Sequence, residues 1–75
     1  MNSTLIQQAK AFRAESRKAF AAYWEKSRQL TDAIARDDMQ QVAIMADTMA
    51  LLLKQAASAE QAAKSIEQEL KLEGV

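Results

Sequence analysis

Residues 38–72 have the sequence DMQQVAIMADTMALLLKQAASAEQAAKSIEQELKL, in which apolar residues recur in steps of three and four. The nine repeating positions are Val42, Met45, Met49, Leu52, Ala56, Ala59, Ala63, Ile66 and Leu70. The stretch contains no proline or glycine, so no residue in it is a strong helix breaker. A seven-residue repeat of this length predicts one long helix with a continuous apolar seam, which another helix must cover.

The preceding residues carry a weaker repeat of the same kind, interrupted by Ser16 and Lys26. Its positions are Leu5, Ala9, Phe12, Ser16, Ala19, Tyr23, Lys26, Leu30 and Ala33. A second stripe runs beside this seam at Phe20, Trp24, Ser27 and Ile34. Together they predict a first helix whose second half has a broad apolar face.

The break between the two helices carries two acidic residues with helix-capping spacing. Asp37 precedes Gln40 by three residues, and Asp38 precedes Gln41 by the same interval, so either aspartate is a candidate N-cap. Gly74 is the candidate C-cap at the other end. The predicted elements are helix 1 at about 4–35, a turn at 36–38 and helix 2 at 39–72. One unbroken helix through Asp38 is the alternative.

The composition describes one small domain, residues 1–75, with little means for catalysis. There is no histidine or cysteine, and no glycine-rich phosphate loop. We therefore expect no enzymatic activity, no metal, no cofactor and no small-molecule substrate. The N-terminus lacks the basic region of a signal peptide, and no uninterrupted apolar run approaches ~18 residues. We expect a cytoplasmic protein without a membrane span.

Charge and side-chain volume favour an antiparallel pairing of the two helices. Residues 1–36 carry a net charge of plus four and residues 37–75 minus four, which sum to the chain's net charge of zero. In this pairing Glu60 is expected near Arg13 and Arg17, and Glu67 near Lys10. A layer of alanine and serine in the middle allows close approach of the backbones. The predicted fold is all-α: an antiparallel two-helix hairpin of coiled-coil type.

More apolar surface is present than one hairpin can cover. Leu51, Leu52 and Leu53 are consecutive and span about 200° of the helix circumference. Aromatic residues, which often dominate protein interfaces, lie across from them on helix 1. The predicted partner interface is Phe20, Tyr23, Trp24, Leu51, Leu52 and Leu53. We expect a second hairpin, as a homodimer, or another protein to complete a four-helix bundle here. A plain dimer core and a docking site for another protein remain alternatives.

A basic face on helix 1 is the competing candidate site. Its residues are Lys10, Arg13, Arg17 and Lys18, and the first three recur at helical spacing. Such a face suits phosphates of RNA or DNA, but pairing with Glu60 and Glu67 explains it equally simply. The zero net charge and the lack of interleaved aromatic residues favour the ion-pair interpretation.

The leading functional prediction is a non-catalytic protein–protein interaction module: an adaptor, co-chaperone or inhibitor. The alternative is a dimeric helical-bundle regulator that binds RNA or DNA through helix 1. No motif identifies a family. In length and helix number the chain resembles the small plasmid copy-number RNA-binding proteins, which dimerise into four-helix bundles. It likewise resembles the helical co-chaperones of bacterial type III secretion needles. Small phage inhibitors also share this architecture, and no residue is carried over from any of them.

Overall fold

The fold, taken from a computed structural model that describes residues 3–72, is a hairpin of two long helices. Helix α1 spans Ser3–Ala35 and helix α2 spans Met39–Leu72. The two helices pack antiparallel in a rod whose Cα extents are 55 × 13 × 13 Å. The predicted all-α hairpin is confirmed, with the break between the helices at 36–38, and the alternative of one unbroken helix is wrong. Gly74, the predicted C-cap, lies outside the described residues.

Helix α1 ends in a Schellman-type turn that uses aspartate where glycine is usual. Asp37 has a φ of 57°, in the left-handed region that aspartate tolerates better than most residues. Its N–H donates to the carbonyl oxygen of Ile34 at 3.0 Å, and the Asp38 N–H donates to that of Ala33 at 2.9 Å. These bonds satisfy carbonyl groups at the end of α1 and reverse the chain.

Asp38 is the N-cap of α2. Its Oδ1 accepts a hydrogen bond from the backbone N–H of Gln41 at 3.3 Å, and its carbonyl oxygen accepts one from Val42 at 3.0 Å. Of the two candidate caps, the structure therefore selects Asp38 with Gln41. Asp37 is the left-handed residue that ends α1, so the two adjacent aspartates have different roles.

The seam between the helices is filled by small side chains. Among residues 3–72, the buried positions are Ala9, Ser16, Ala19, Ala33, Ala56, Ala59 and Ala63. Larger seam residues flank them and are only half-buried: Leu5, Phe12, Tyr23, Leu30, Val42, Met45, Met49, Leu52, Ile66 and Leu70. The predicted layer of alanine and serine is therefore the core of the hairpin. Half-exposed residues on either side leave apolar surface that the hairpin itself does not cover.

By length and composition alone, α2 also meets a test for a membrane-spanning helix. The sequence predicts no span, because no uninterrupted apolar run approaches ~18 residues. Asp47 and Lys54 lie within the apolar half of α2, seven residues apart. Spanning helices and the packing helices of soluble proteins share this composition, so the finding does not distinguish the two.

Candidate protein interface

One side of the hairpin is defined by the ion pairs of Arg13. Its Nε and Nη2 donate to the two carboxylate oxygens of Glu67 at 3.0 and 2.7 Å, and its Nη1 lies 3.9 Å from Glu60. We call this the front side and the opposite one the rear side. Seven residues make two helical turns, so steps of seven from Arg13 and Glu60 lead to further front-side residues. Phe20 and Leu53 are the first of these.

Two shallow depressions follow one another along the front side. The one near the open ends of the helices is lined by Ile6, Ala9, Lys10, Arg13, Arg17, Glu67 and Leu70. The one nearer the turn is lined by Tyr23, Leu30, Ala46, Met49, Ala50 and Leu53. The first therefore mixes acidic and basic side chains, whereas the second is lined almost wholly by apolar ones.

Within the two helices, the front side is uncharged in the turn half of the hairpin, residues 20–35 and 39–53. Steps of seven from Arg13, Arg17, Glu60 and Ala50 place ten residues there, and the same steps next reach Arg36 and Asp38 in the turn. They are Phe20, Trp24, Ser27, Thr31, Ile34, Met39, Ala43, Ala46, Ala50 and Leu53, and we call them the front patch. Its large apolar members remain open to solvent, with Trp24 64%, Met39 63% and Leu53 45% exposed.

Charged side chains of the turn half lie elsewhere. Lys26, a seam residue, donates to Gln29 Oε1 at 3.2 Å. Gln29 is fourteen residues, or about four helical turns, beyond Glu15, so the two lie on the same side of α1. Glu15 lines a rear-side depression with Phe12, Gln55, Ser58, Ala59 and Ala62, so the Lys26 ammonium is drawn to the rear. Glu25 and Arg28 pair with each other in solvent. Lys26 and the Glu25–Arg28 pair therefore have partners outside the front patch.

The structure separates the six predicted interface residues into three groups. Phe20, Trp24 and Leu53 belong to the front patch. Tyr23 and Leu52 are half-buried in the seam, and the Tyr23 ring meets that of Trp24 edge to face at 5.3 Å. Leu51 is seven residues before Ser58 and therefore lies on the rear side. The expectation that Leu51 and Leu53 share one surface does not hold, because the seam residue Leu52 lies between them.

The predicted interface omits seven of the ten front-patch residues, among them Ile34, Met39 and Ala46. The signal for these three is the seven-residue step from Phe20 and from Leu53. Ile34 belongs to the stripe beside the seam of helix 1. Met39 belongs to no apolar repeat, and it is 63% exposed, beyond the reach of the seam. The patch is therefore larger and more one-sided than the run of three leucines indicated.

The structure brings together three of the four residues of the predicted basic face. The depression near the open ends is lined by Lys10, Arg13 and Arg17. Lys18 does not line it. Arg13 is bound to Glu67, whereas no acidic group of residues 3–72 lies within ion-pair distance of Lys10 or Arg17. The expected pairing of Glu60 with Arg13 is present, while Glu67 binds Arg13 as well.

The ion pair of Arg13 and Glu67 shifts the titration of both groups. Hydrogen bonding from the guanidinium lowers the pKa of the Glu67 carboxyl below its ordinary value of 4.5, and nearby positive charges lower it further. The same hydrogen bond raises the pKa of Arg13. The two side chains are 35% and 42% exposed, so this clamp lies at the surface and is screened by solvent.

The described residues contain no cluster of three or more acidic side chains arranged to hold a metal ion. Comparison of the chain with known protein families, with characterised proteins and with solved structures found no match. The candidate site therefore rests on geometry: an apolar, uncharged patch beside a cluster of ion pairs.

Proposed function

We propose that the protein is a non-catalytic protein–protein interaction module that docks another polypeptide on its front side. The observation that carries this proposal is the front patch: ten adjacent front-side positions without a single charge. The patch extends about 22 Å along two helices each about 10 Å wide, which gives a footprint of about 450 Å². This is the size of the largest apolar patch on a typical monomer, which is often functional.

The residue types support a protein partner. Trp24 presents a large ring of which 64% is exposed, and Phe20 and Leu53 lie within the same patch. Aromatic side chains of this kind contribute much of the binding energy of interfaces when a partner covers them. The open half of the front side, with its paired charges, would supply the polar rim that fixes orientation.

The apolar half of α2 serves packing and docking under this proposal. Met45, Met49 and Leu52 are half-buried against α1, and Leu53 points to the front patch. The apolar residues of this half thus have uses in a soluble hairpin, in keeping with a cytoplasmic protein.

The experiment that tests the proposal places a photo-crosslinking amino acid at Leu53 or at Leu51 in cells that produce the full chain. The two residues are of the same type on the same helix, and Leu51 is the more exposed, at 64% against 45%. We expect protein crosslinks from position 53 and few from position 51. Absence of any crosslink from position 53, or equal yields from both, would reject the front side as a docking surface.

Nucleic-acid binding is the second candidate, favoured by Lys10 and Arg17. Both line the front depression, and neither has an acidic partner among residues 3–72. Glu67 in the same depression opposes it, because a carboxylate repels phosphate. Under the leading proposal, labelled RNA or DNA binds no tighter than the nonspecific ~10⁻⁴–10⁻⁶ M at physiological salt. Tighter binding that the double variant Lys10→Glu, Arg17→Glu abolishes would favour the second candidate instead.

A further inference from the structure

Resting on the proposed function, we propose that the occupant of the front side is a second copy of this chain, docked face to face with both turns at the same end. The two hairpins are then related by a two-fold axis parallel to their length. In this coaxial dimer, α1 of each copy lies against α2 of the other, and all neighbouring helices run antiparallel.

The front side is divided lengthwise into two parts of different character. The turn half carries the uncharged front patch, and the open half carries three basic residues on α1 and two acidic residues on α2. They are Lys10, Arg13, Arg17, Glu60 and Glu67. Two basic residues, Lys64 and Lys71, also lie on this side of α2; Lys64 contacts Glu60 at 3.7 Å, and Lys71 lines a depression with Glu67. Any self-docking must therefore bring apolar surface onto apolar surface while giving the charged groups opposite partners.

A full-length overlap with the turns at opposite ends fails this requirement. Its two-fold axis crosses the middle of the hairpin, so α1 lies against α1 of the other copy. The open half of each copy then covers the front patch of the other, and Arg13 and Arg17 are buried on apolar surface. Burial of charges without partners is strongly unfavourable.

An overlap of the two turn halves alone fails on area. It matches apolar with apolar surface, but the footprint is only the about 450 Å² of the front patch. Stable interfaces bury about 800 Å² on each partner. The coaxial arrangement covers the whole side, about 50 Å long and about 20 Å wide, which is about 1,000 Å².

The coaxial arrangement also brings acidic groups of one copy near basic groups of the other. Arg13 contacts both Glu60 and Glu67, so residues of α1 and α2 whose numbers sum to between about 73 and 80 lie near the same level. In the coaxial dimer Phe20 therefore faces Leu53 of the second copy, and Ile34 faces Met39. At the open end, Arg17 of α1 comes near Glu60 of the second copy, and Lys10 comes near Glu67 but also lies level with Lys64. Arg17 thereby gains an acidic neighbour that its own hairpin does not place within ion-pair distance.

The geometry is tested by measuring distances between spin labels in the full chain. The sequence has no cysteine, so Thr4→Cys and Arg36→Cys each provide one labelling site, at the open end and at the turn. At about 1.5 Å per residue, full antiparallel overlap places both label pairs about 50 Å apart. Overlap of the turn halves gives about 30 Å at position 36 and about 70 Å at position 4.

The coaxial dimer predicts a separation below about 30 Å at both positions, because each label lies at the same level as its copy. A long separation at position 4 would overturn the coaxial arrangement. A chain that light scattering finds monomeric up to about 100 μM, well above common interface affinities, would overturn the second copy as the occupant. The proposed function would still stand if crosslinks from position 53 reached a different protein, and would fall if they reached none.

A matched pair of variants shows whether the dimer uses the front side. Leu53→Glu brings a carboxylate from each copy into the interface, so we expect its dissociation constant to rise about 100-fold or more. Leu51→Glu makes the same change on the rear side and should leave the dimer intact. Equal weakening by both variants, or dissociation by Leu51→Glu alone, would overturn the assignment. Retained helicity in circular dichroism confirms that each variant remains folded.

Discussion

Replacing Ala19 with leucine tests the close approach of the two helices. Ala19 is 8% exposed, and α2 presents Ala56 and Ala59 to the same seam at 0% and 6%. Leucine adds an isopropyl group where only methyl groups are accommodated. Overpacking of this kind costs about 1–3 kcal/mol. A change of about 1 kcal/mol shifts the melting temperature of a domain this size by about 4–8 °C, so we expect a fall of about 4–24 °C.

The assay is thermal unfolding followed by far-UV circular dichroism at one fixed chain concentration, since self-association makes the melting temperature depend on concentration. Ala21→Leu is the matched control, because Ala21 is exposed on the same helix two residues on. Alanine and leucine differ little in helix propensity, so the control should lie within about 0.5 kcal/mol of the wild type. Equal melting temperatures for the two variants would refute close packing at this layer.

The turn and the charge clamp give three further predictions. Asp38→Ala removes the cap of α2 and should lower the unfolding free energy by about 1 kcal/mol in urea denaturation. Asp37→Gly should raise it by up to about 1 kcal/mol in the same assay, because glycine adopts the left-handed conformation without strain; Asp37→Ala should not. The pKa of Glu67 is lowered in the folded chain, so its contribution to stability is present above pH 4.5 and is lost as the pH falls through the lowered value. In acid titrations Glu67→Gln should therefore lose less stability below pH 4.5 than the wild type, and an unchanged acid profile would contradict the clamp.

The hairpin could be predicted because one long repeat dictated it. The seam from Val42 to Leu70 requires a helix, and a helix with one apolar face requires a partner. The division of roles between Asp37 and Asp38 could not be predicted, because both have the same spacing to a glutamine. Hydrogen bonds from both residues back to the last turn of α1 decide it, and these depend on backbone conformation.

The candidate interface was predicted in part, and its error has a simple geometric source. Consecutive residues on a helix point about 100° apart, so the exposed neighbours of a seam residue emerge on opposite sides. Leu51 and Leu53 flank Leu52 in this way. Residues seven apart are the better guide to a shared surface, and they connect Leu53 with Ala46 and Met39 across the front patch.

The arrangement of contacts along the hairpin also gives the order in which it forms. Contacts beside the turn close loops of a few residues, whereas the Arg13–Glu67 clamp joins side chains 54 positions apart in sequence. Closing that longer loop from the open chain costs about 2 kcal/mol more in chain entropy than closing a loop beside the turn. Folding should therefore start at the two aspartates, and contacts should then form one after another toward the open ends. The clamp then forms after the transition state, so its loss speeds unfolding and leaves the folding rate nearly unchanged.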